Sequence, residues 1–134
     1  MSSPYTETAA PCVLGAPLTL EPVPDGTGGC SAELELDPGW PIFAEHFPGR
    51  PMLPGSLTAQ LMATVAAAVP GAEPGPRPAS LRGVRFQAPL VPPARIRVTA
   101  APDPADGDTV RCLVLLLGPA GDTVAARGEV VRHG

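Results

Sequence analysis

The sequence predicts an α+β fold in which a curved antiparallel sheet is wrapped around one central, buried helix. Three observations support this prediction. Strand-like segments occupy most of the chain, a single helix-like segment interrupts them, and that segment is apolar on nearly every face. Because a helix and a sheet must each bury an apolar side against a second layer, one helix enclosed by a sheet satisfies both.

The part of the chain before the helix contains a tail and two predicted strands. Residues 1–11 are polar and small, and we expect a flexible tail there. Residues 12–134 then form one domain, which suits a chain of 134 residues. Residues 16–23 have a strand-like centre, and residues 25–29 form a glycine-rich turn. Residues 30–37 alternate apolar with polar or acidic side chains, which is typical of a half-buried antiparallel strand.

The segment that interrupts the strands, Ser56 to Val69, is the predicted helix. It contains no glycine, proline or charged residue, and it begins directly after Pro54-Gly55. Four predicted strands follow, separated by turns rich in Pro, Gly and Asp. These strands are Ala79 to Leu90, Ala94 to Ala101, Thr109 to Leu117, and Asp122 to Arg132. This order of elements is that of the hotdog fold.

Composition argues against several classes of function. The formal net charge of −4 disfavours nucleic acid as a partner. No apolar run is long enough to cross a bilayer and no signal-peptide pattern is visible, so we expect a cytoplasmic protein with no membrane partner. The three cysteines are widely spaced and accompanied by two histidines, which is a poor set of zinc ligands. We therefore expect reduced thiols and no bound metal.

The most informative stretch is the loop before the helix. It reads His46-Phe47-Pro48-Gly49-Arg50-Pro51-Met52-Leu53-Pro54-Gly55. The prolines stiffen this loop, so a histidine is held in a rigid segment that leads into an apolar helix. Imidazole titrates near pH ~6.5, which makes His46 a candidate base at neutral pH. Gly55 lacks a Cβ, so a carbonyl group can approach its N–H at the positive end of the helix.

The loop and the helix resemble the β-hydroxyacyl-acyl-carrier-protein dehydratases of the FabZ type, whose signature is His-Phe-Pro-Gly-x-Pro-Val-Met-Pro-Gly. Here Met52-Leu53 stands where that family has Val-Met. Leu81 to Val91 and Val124 to Val131 also resemble strands of the family, whereas its N-terminal His-Arg-x-Pro-Phe segment has no clear counterpart. The resemblance implies a hotdog enzyme that binds no cofactor of its own. Its substrate would be carried on the phosphopantetheine arm of an acyl carrier protein.

The resemblance also implies roles for individual residues. His46 would remove the α-proton of the substrate, and the N–H of Gly55 would polarise the thioester carbonyl. The family carries a carboxylic acid on the helix at the position of Gln60 in this chain. An amide cannot donate a proton to a leaving hydroxyl, and the loss of such an acid costs about 10²–10⁴ in rate.

Gln60 leaves several interpretations open. The family builds its site across a two-fold axis, so a paralogous subunit with Glu or Asp here would complete the site in a heterodimer; a homodimer is the other assembly. A hotdog acyl-thioesterase would need no strong acid and would use Gln60 to place the attacking water. A third interpretation is a non-catalytic subunit that binds acyl carriers or stabilises a catalytic paralogue. Separately, Gln60 itself is interpretable as a buried polar residue that seats the helix against its neighbour. Glu45 is a weaker substitute, because neighbouring side chains in an extended loop point apart.

Two further groups of residues are candidates for binding the substrate and its carrier. Apolar residues that would line an acyl tunnel, each of which also suits the core, are Phe43, Phe47, Met52, Leu57 and Leu61. Arginines that would bind an acidic carrier protein, or would form a solvated sheet face, are Arg50, Arg82, Arg85, Arg95 and Arg97. The predicted function is a dehydratase-like lyase acting on carrier-bound β-hydroxyacyl thioesters in fatty-acid or polyketide biosynthesis.

Overall fold

The computed structural model describes residues 22–26, 28–40, 43, 52–69, 80–106 and 108–131. Within them, one helix packs against a six-stranded antiparallel sheet. In chain order the elements are β1 (Val23–Pro24), β2 (Cys30–Leu36), α1 (Gly55–Ala66), β3 (Ser80–Phe86), β4 (Ala94–Pro102), β5 (Thr109–Gly118) and β6 (Gly121–Val131). The strand order across the sheet is β1-β2-β4-β5-β6-β3. This arrangement is the predicted hotdog fold.

The observed elements differ from the predicted ones mainly at their ends. Helix α1 ends at Ala66 instead of Val69, and the next three residues continue as a turn whose amides still bond back to the helix. Strand β3 ends at Phe86, before the predicted Leu90, where regular pairing with β6 stops: the next two N–H groups, of Gln87 and Ala88, both donate to Ala125 O. The predicted tail and most of the first predicted strand lie outside the described residues.

The core lies between helix α1 and the inner face of the sheet. Strand β2 alternates as predicted, with Glu33 and Glu35 exposed between buried apolar residues. The predicted inner face of β5 is also observed: Val110, Cys112 and Val114 are buried and Leu116 is partly buried. The alternation of buried and exposed residues in β6 shifts by one position, as its sequence indicated. The cause is a bulge, because Val114 pairs with Ala126 whereas the next residue of β5 pairs with Val124.

Helix α1 is buried on the side that faces the sheet. Its buried residues are Leu57, Thr58, Leu61, Met62, Thr64, Val65 and Ala66. Ser56 and Gln60, in contrast, are exposed. The prediction of a helix buried nearly all round is therefore wrong on this second side. Among the described residues, no helix is long and apolar enough to cross a membrane.

Two cysteines connect the sheet to the helix. Cys30 and Cys112 lie on β2 and β5, each in register with Ala100 of the intervening strand. Their thiols donate to helix carbonyls, that of Cys30 to Val65 O at 3.2 Å and that of Cys112 to Met62 O at 3.7 Å. Burial raises the pKa of both thiols, and that of Cys112 to about 12. They are free thiols of the core, and Cys12 lies outside the described residues.

The strands at the two edges of the described sheet differ in length and exposure. Strand β1 has two residues, of which one is Pro24, which has no N–H to donate. Strand β3 has seven residues, most of them exposed, and Phe86 at its end is 57% exposed. It bulges near Gly83, which takes a positive φ of 63°. A long exposed edge of this kind invites pairing with another strand.

We expect the protein to form a dimer in which β3 pairs edge to edge with β3 of a second copy or of a paralogue. Light scattering at micromolar concentration should give a dimeric mass. Hydrogen exchange should protect the β3 amides that do not bond β6, while β1 exchanges as a free edge. A monodisperse monomer with fast exchange along β3 would contradict the prediction.

Candidate active site

Helix α1 begins without a side-chain cap. Its N-cap residue is Pro54, and the first turn contains no acidic residue. In the described part of the chain, the N–H groups of Gly55 and Ser56 donate no hydrogen bond. Most helices satisfy such donors with Ser, Thr, Asp or Asn at the N-cap. The start of α1 therefore presents free donors at the positive end of the helix dipole.

These donors lie beside a largely apolar cavity of about 360 Å³. The loop before α1, its first turn, the segment after β3 and the bulge of β6 form the walls. The lining residues are Met52, Leu53, Pro54, Gly55, Thr58, Phe86, Gln87, Ala88, Pro89, Leu90, Ala125 and Ala126. A small-molecule site typically combines this kind of apolar wall with a few polar groups that orient the ligand.

Gly55 lies against the ring of Phe86 at one side of the cavity. A Cβ at position 55 would come 3.0 Å from Cζ of that ring. The absence of a side chain therefore matters here for space, because it lets the ring of Phe86 pack against the first residue of the helix. Phe86 is more than half exposed, so its ring forms an outer wall of the cavity.

Three backbone hydrogen bonds hold the far wall of the cavity. The N–H groups of Gln87 and Ala88 both donate to Ala125 O, at 2.7 and 3.1 Å, and Leu53 N donates to Leu90 O at 2.9 Å. The bulge in β6 and the end of β3 thus shape the cavity together. Sequence reasoning missed this wall as part of the site. The slipped alternation of β6 was a usable signal, because bulges often lie next to active sites.

Thr58 is the polar side chain that α1 contributes to the cavity. It is 2% exposed, and its Oγ1 donates to Pro54 O at 3.3 Å. Sequence reasoning missed this residue as well. The signal was its spacing, because a residue three positions after Gly55 lies on the same face of a helix.

Gln60 lies on a different face of α1. Each residue advances about 100° around the helix axis, so Gln60 is about 200° from Thr58. Gln60 does not line the cavity, and its exposed side chain makes no hydrogen bond in the part of the chain that the structure describes. Its exposure contradicts the interpretation of Gln60 as a buried structural residue.

The other predicted catalytic and tunnel residues, together with Arg50 of the carrier-binding set, fall into three groups. Those outside the described residues are His46, Phe47 and Arg50. Met52 lines the cavity. The remaining tunnel candidates pack into the core instead of the cavity wall; they are Phe43, Leu57 and Leu61. Phe43 stacks on Trp40 there, with ring centroids 6.0 Å apart.

The four predicted arginines within the described residues do not form one patch. Arg97 lies on β4, where it pairs with Glu33 at 3.2 Å and Asp122 at 3.5 Å. Arg95 lies on the same strand, opposite Glu35. Strands β5 and β6 separate both of these arginines from those on β3.

The arginines of β3 have different neighbours on β6. Arg82 pairs with Glu129 at 3.1 Å. Arg85 lies directly opposite Arg127, and both side chains are exposed. Among the described residues, neither arginine has an ion-pair or hydrogen-bond partner. Two like charges that lie opposite one another destabilise a sheet. Sequence reasoning missed Arg127, because only the strand register places it beside Arg85.

Comparison with protein families matches residues 24–112 to the ApeI-like family, described as ApeI dehydratase. The chain belongs to the ApeI-like dehydratase family. The matched region runs from β1 into β5 and includes the loop, helix α1 and most of the cavity wall. The expected assignment to the hotdog dehydratases is thus confirmed, whereas the finer FabZ type stays a prediction.

Similar solved structures share the hotdog fold of this ApeI-like chain. The dehydratase heterocomplex ApeI:P from Xenorhabdus doucetiae is 23% identical with a TM-score of 0.63, covering 83% of this chain and 92% of that chain. A variant of the PpsC dehydratase domain from Mycobacterium tuberculosis is 22% identical with a TM-score of 0.67, covering 91% and 44%. Zebra fish thioesterase superfamily member 2 is 16% identical with a TM-score of 0.59, covering 85% and 80%.

We expect Gly55→Ala to weaken binding of a short acyl-pantetheine thioester by about tenfold or more, because the new Cβ occupies the approach to the helix N-terminus. The exposed Phe86 ring can turn aside, so the free energy of unfolding should change by less than about 1 kcal/mol. Calorimetry gives the affinity and thermal melting the stability.

The double variant Gly55→Ala with Phe86→Ala tests the cause. If the ring confines the ligand against the new Cβ, removing the ring should recover part of the lost affinity. Unchanged affinity in Gly55→Ala alone would show that ligands do not use this end of the helix.

Proposed function

We propose that this chain is one subunit of a dehydratase that acts on β-hydroxyacyl thioesters carried by an acyl carrier protein. Its partner would be a paralogous subunit with a carboxylic acid at the position of Gln60. The observation that carries the proposal is the uncapped start of α1, which opens beside Gly55 into an apolar cavity. Membership of the ApeI-like dehydratase family supports dehydration as the reaction.

The first step is the removal of a proton from Cα of the thioester, for which His46 is the proposed base. Negative charge then develops on the thioester oxygen. The free N–H groups of Gly55 and Ser56, together with the helix dipole, would stabilise that charge. The electron pair of the broken C–H bond forms the Cα=Cβ double bond as the β-hydroxyl leaves.

The leaving hydroxyl must take up a proton to depart as water, and Gln60 cannot supply that proton. Its position on a different face of α1 also keeps it away from the cavity of its own chain. In the proposed assembly, a carboxylic acid of the partner subunit protonates the hydroxyl in this cavity, while Gln60 faces the partner's cavity. Such a dimer has one site with both base and acid.

Two comparisons support an assembly of paired subunits. One similar structure is a dehydratase heterocomplex, ApeI:P. The PpsC dehydratase domain is more than twice as long as the part that this chain matches, so two chains of this size approach its length.

A second candidate function is a non-catalytic subunit that binds an acyl carrier and stabilises a catalytic paralogue. The observation that favours it is the amide at Gln60, which supplies no acid to either cavity of a homodimer. A thioesterase that uses Gln60 to place water would need the same kind of assembly, because Gln60 does not line the cavity of its own chain and its amide would have to reach the partner's cavity.

The deciding prediction concerns Gln60→Glu. In a homodimer of this variant every site would hold both His46 and an acid, so dehydration should rise by about 10²–10⁴ over the original protein. The exposed position should make the substitution nearly neutral for stability. Mass spectrometry of a β-hydroxyacyl carrier protein after incubation measures the loss of water, and His46→Ala in the same background should abolish it.

The same assay separates the candidate functions. Release of the free carrier thiol would indicate a thioesterase. If Gln60→Glu gives no dehydration, alone or with a paralogue, while carrier binding persists, the dehydratase proposal fails and the non-catalytic subunit is favoured.

We also expect Arg85→Gln and Arg127→Gln each to weaken binding of an acidic carrier protein several-fold, with the larger effect at low salt. Neither change should lower the free energy of unfolding, because each removes a like-charge contact. Arg111→Gln is the matched control, since it removes the same charge from the sheet but from a pair with Asp103 at 3.0 Å. Surface plasmon resonance at two salt concentrations measures the effect; an equal loss in Arg111→Gln would indicate net charge alone.

A further inference from the structure

Among the described residues that line the cavity, Thr58 has a buried hydroxyl that the proposed reaction does not use. The other described lining residue with an amide or hydroxyl side chain is Gln87, which is exposed. Thr58 is 2% exposed and lies on the face of α1 that carries Gly55. A ligand held at the helix N-terminus would therefore meet this hydroxyl inside the cavity.

The hydrogen bond that Thr58 makes is weak and shared. Its Oγ1 donates to Pro54 O at 3.3 Å, but the same oxygen also accepts from Leu57 N at 3.0 Å and from Thr58 N at 3.1 Å. A carbonyl oxygen has two lone pairs, so a third donor adds little. The hydroxyl can turn toward a ligand at small cost, because Pro54 O stays satisfied by the two amides.

Thr64 shows what the same residue type does elsewhere on this helix. It is also buried, and its Oγ1 donates to Gln60 O, four residues earlier, at 2.8 Å. That bond is short, and Thr64 does not line the cavity. The two threonines thus share local geometry but differ in hydrogen-bond length and in access to the cavity.

We propose that Thr58 is a specificity-determining residue that binds the β-hydroxyl of the substrate. The inference rests on the proposed function. Gly55 and Thr58 are three residues apart, or about 4.5 Å along the helix axis. The thioester carbonyl and the hydroxyl-bearing carbon are separated by one carbon in a β-hydroxyacyl chain. A carbonyl at Gly55 therefore brings the β-hydroxyl within reach of Thr58.

This contact would make the cavity bind the β-hydroxyacyl substrate more tightly than the enoyl product. The enoyl product lacks the hydroxyl, so it leaves the Thr58 hydroxyl to return to Pro54 O and binds more weakly. An aliphatic hydroxyl is too weak an acid to protonate the leaving group, so Thr58 positions the β-hydroxyl while the acid still comes from the partner.

The test compares Thr58→Val with its matched control, Thr64→Val, in the full chain. Both substitutions remove a buried hydroxyl from α1, but only that of Thr58 lies at the cavity. The probes are β-hydroxyacyl-pantetheine amide and the same acyl-pantetheine amide without the hydroxyl, neither of which contains a reactive thioester. Calorimetry measures the ratio of the two affinities for each protein. Thr58→Ser keeps the hydroxyl and should keep the preference.

We expect the original protein and Thr64→Val to prefer the hydroxylated amide by about tenfold, which equals about 1.4 kcal/mol, and Thr58→Val to lose the preference. A preference that survives in Thr58→Val, or is lost equally in Thr64→Val, overturns the inference. If neither amide binds the original protein, the proposed function fails too. Should Thr58→Val fold poorly, Thr58→Ala removes the hydroxyl without adding volume and gives the same comparison.

Discussion

The packing of one side of helix α1 against the sheet is the interaction on which the rest of the site depends. A 12-residue helix with no capping side chain, no acidic first turn and no basic last turn has little stability of its own. Burial of its apolar side against the sheet supplies the stability that its ends do not provide. Met62 and Val65 are fully buried, and side chains of this size each contribute about 1.5–3 kcal/mol when buried. Because packing holds the helix, its first turn can leave N–H groups free for a ligand.

The sheet, in turn, determines where the cavity lies beside those free N–H groups. At the bulge, the carbonyl of Ala125 points toward the segment that follows β3, and the N–H groups of Gln87 and Ala88 both donate to it. That segment and the start of α1 line the same cavity. The bulged residue of β6 thus forms part of the cavity wall, and the shifted apolar pattern of β6 is its signature in the sequence.

Helix α1 also divides the polar groups between two directions. Gly55 and Thr58 face the cavity of their own chain, whereas Gln60 is exposed on another side. A helix rotates about 100° per residue, so two nearby positions can serve different sites. This separation gives a physical reason for a site built from two subunits. Gly55 and Thr58 at the cavity and the side chain at position 60 on the exposed side of α1 cannot meet within one chain.

The sequence alone determined the hotdog fold and the opening beside Gly55, because alternation, helical periodicity and proline-rich loops are local patterns. It also indicated the slip in β6. Only the tertiary structure decided which side of α1 is open, because polar residues lie on both sides: Ser56 and Gln60 are exposed, whereas Thr58 and Thr64 are buried. The same holds for Thr58 as a cavity residue, for the core positions of Leu57 and Leu61, and for the pairing of Arg85 with Arg127. These features depend on helix rotation and strand register, which are set by contacts between residues far apart in the chain.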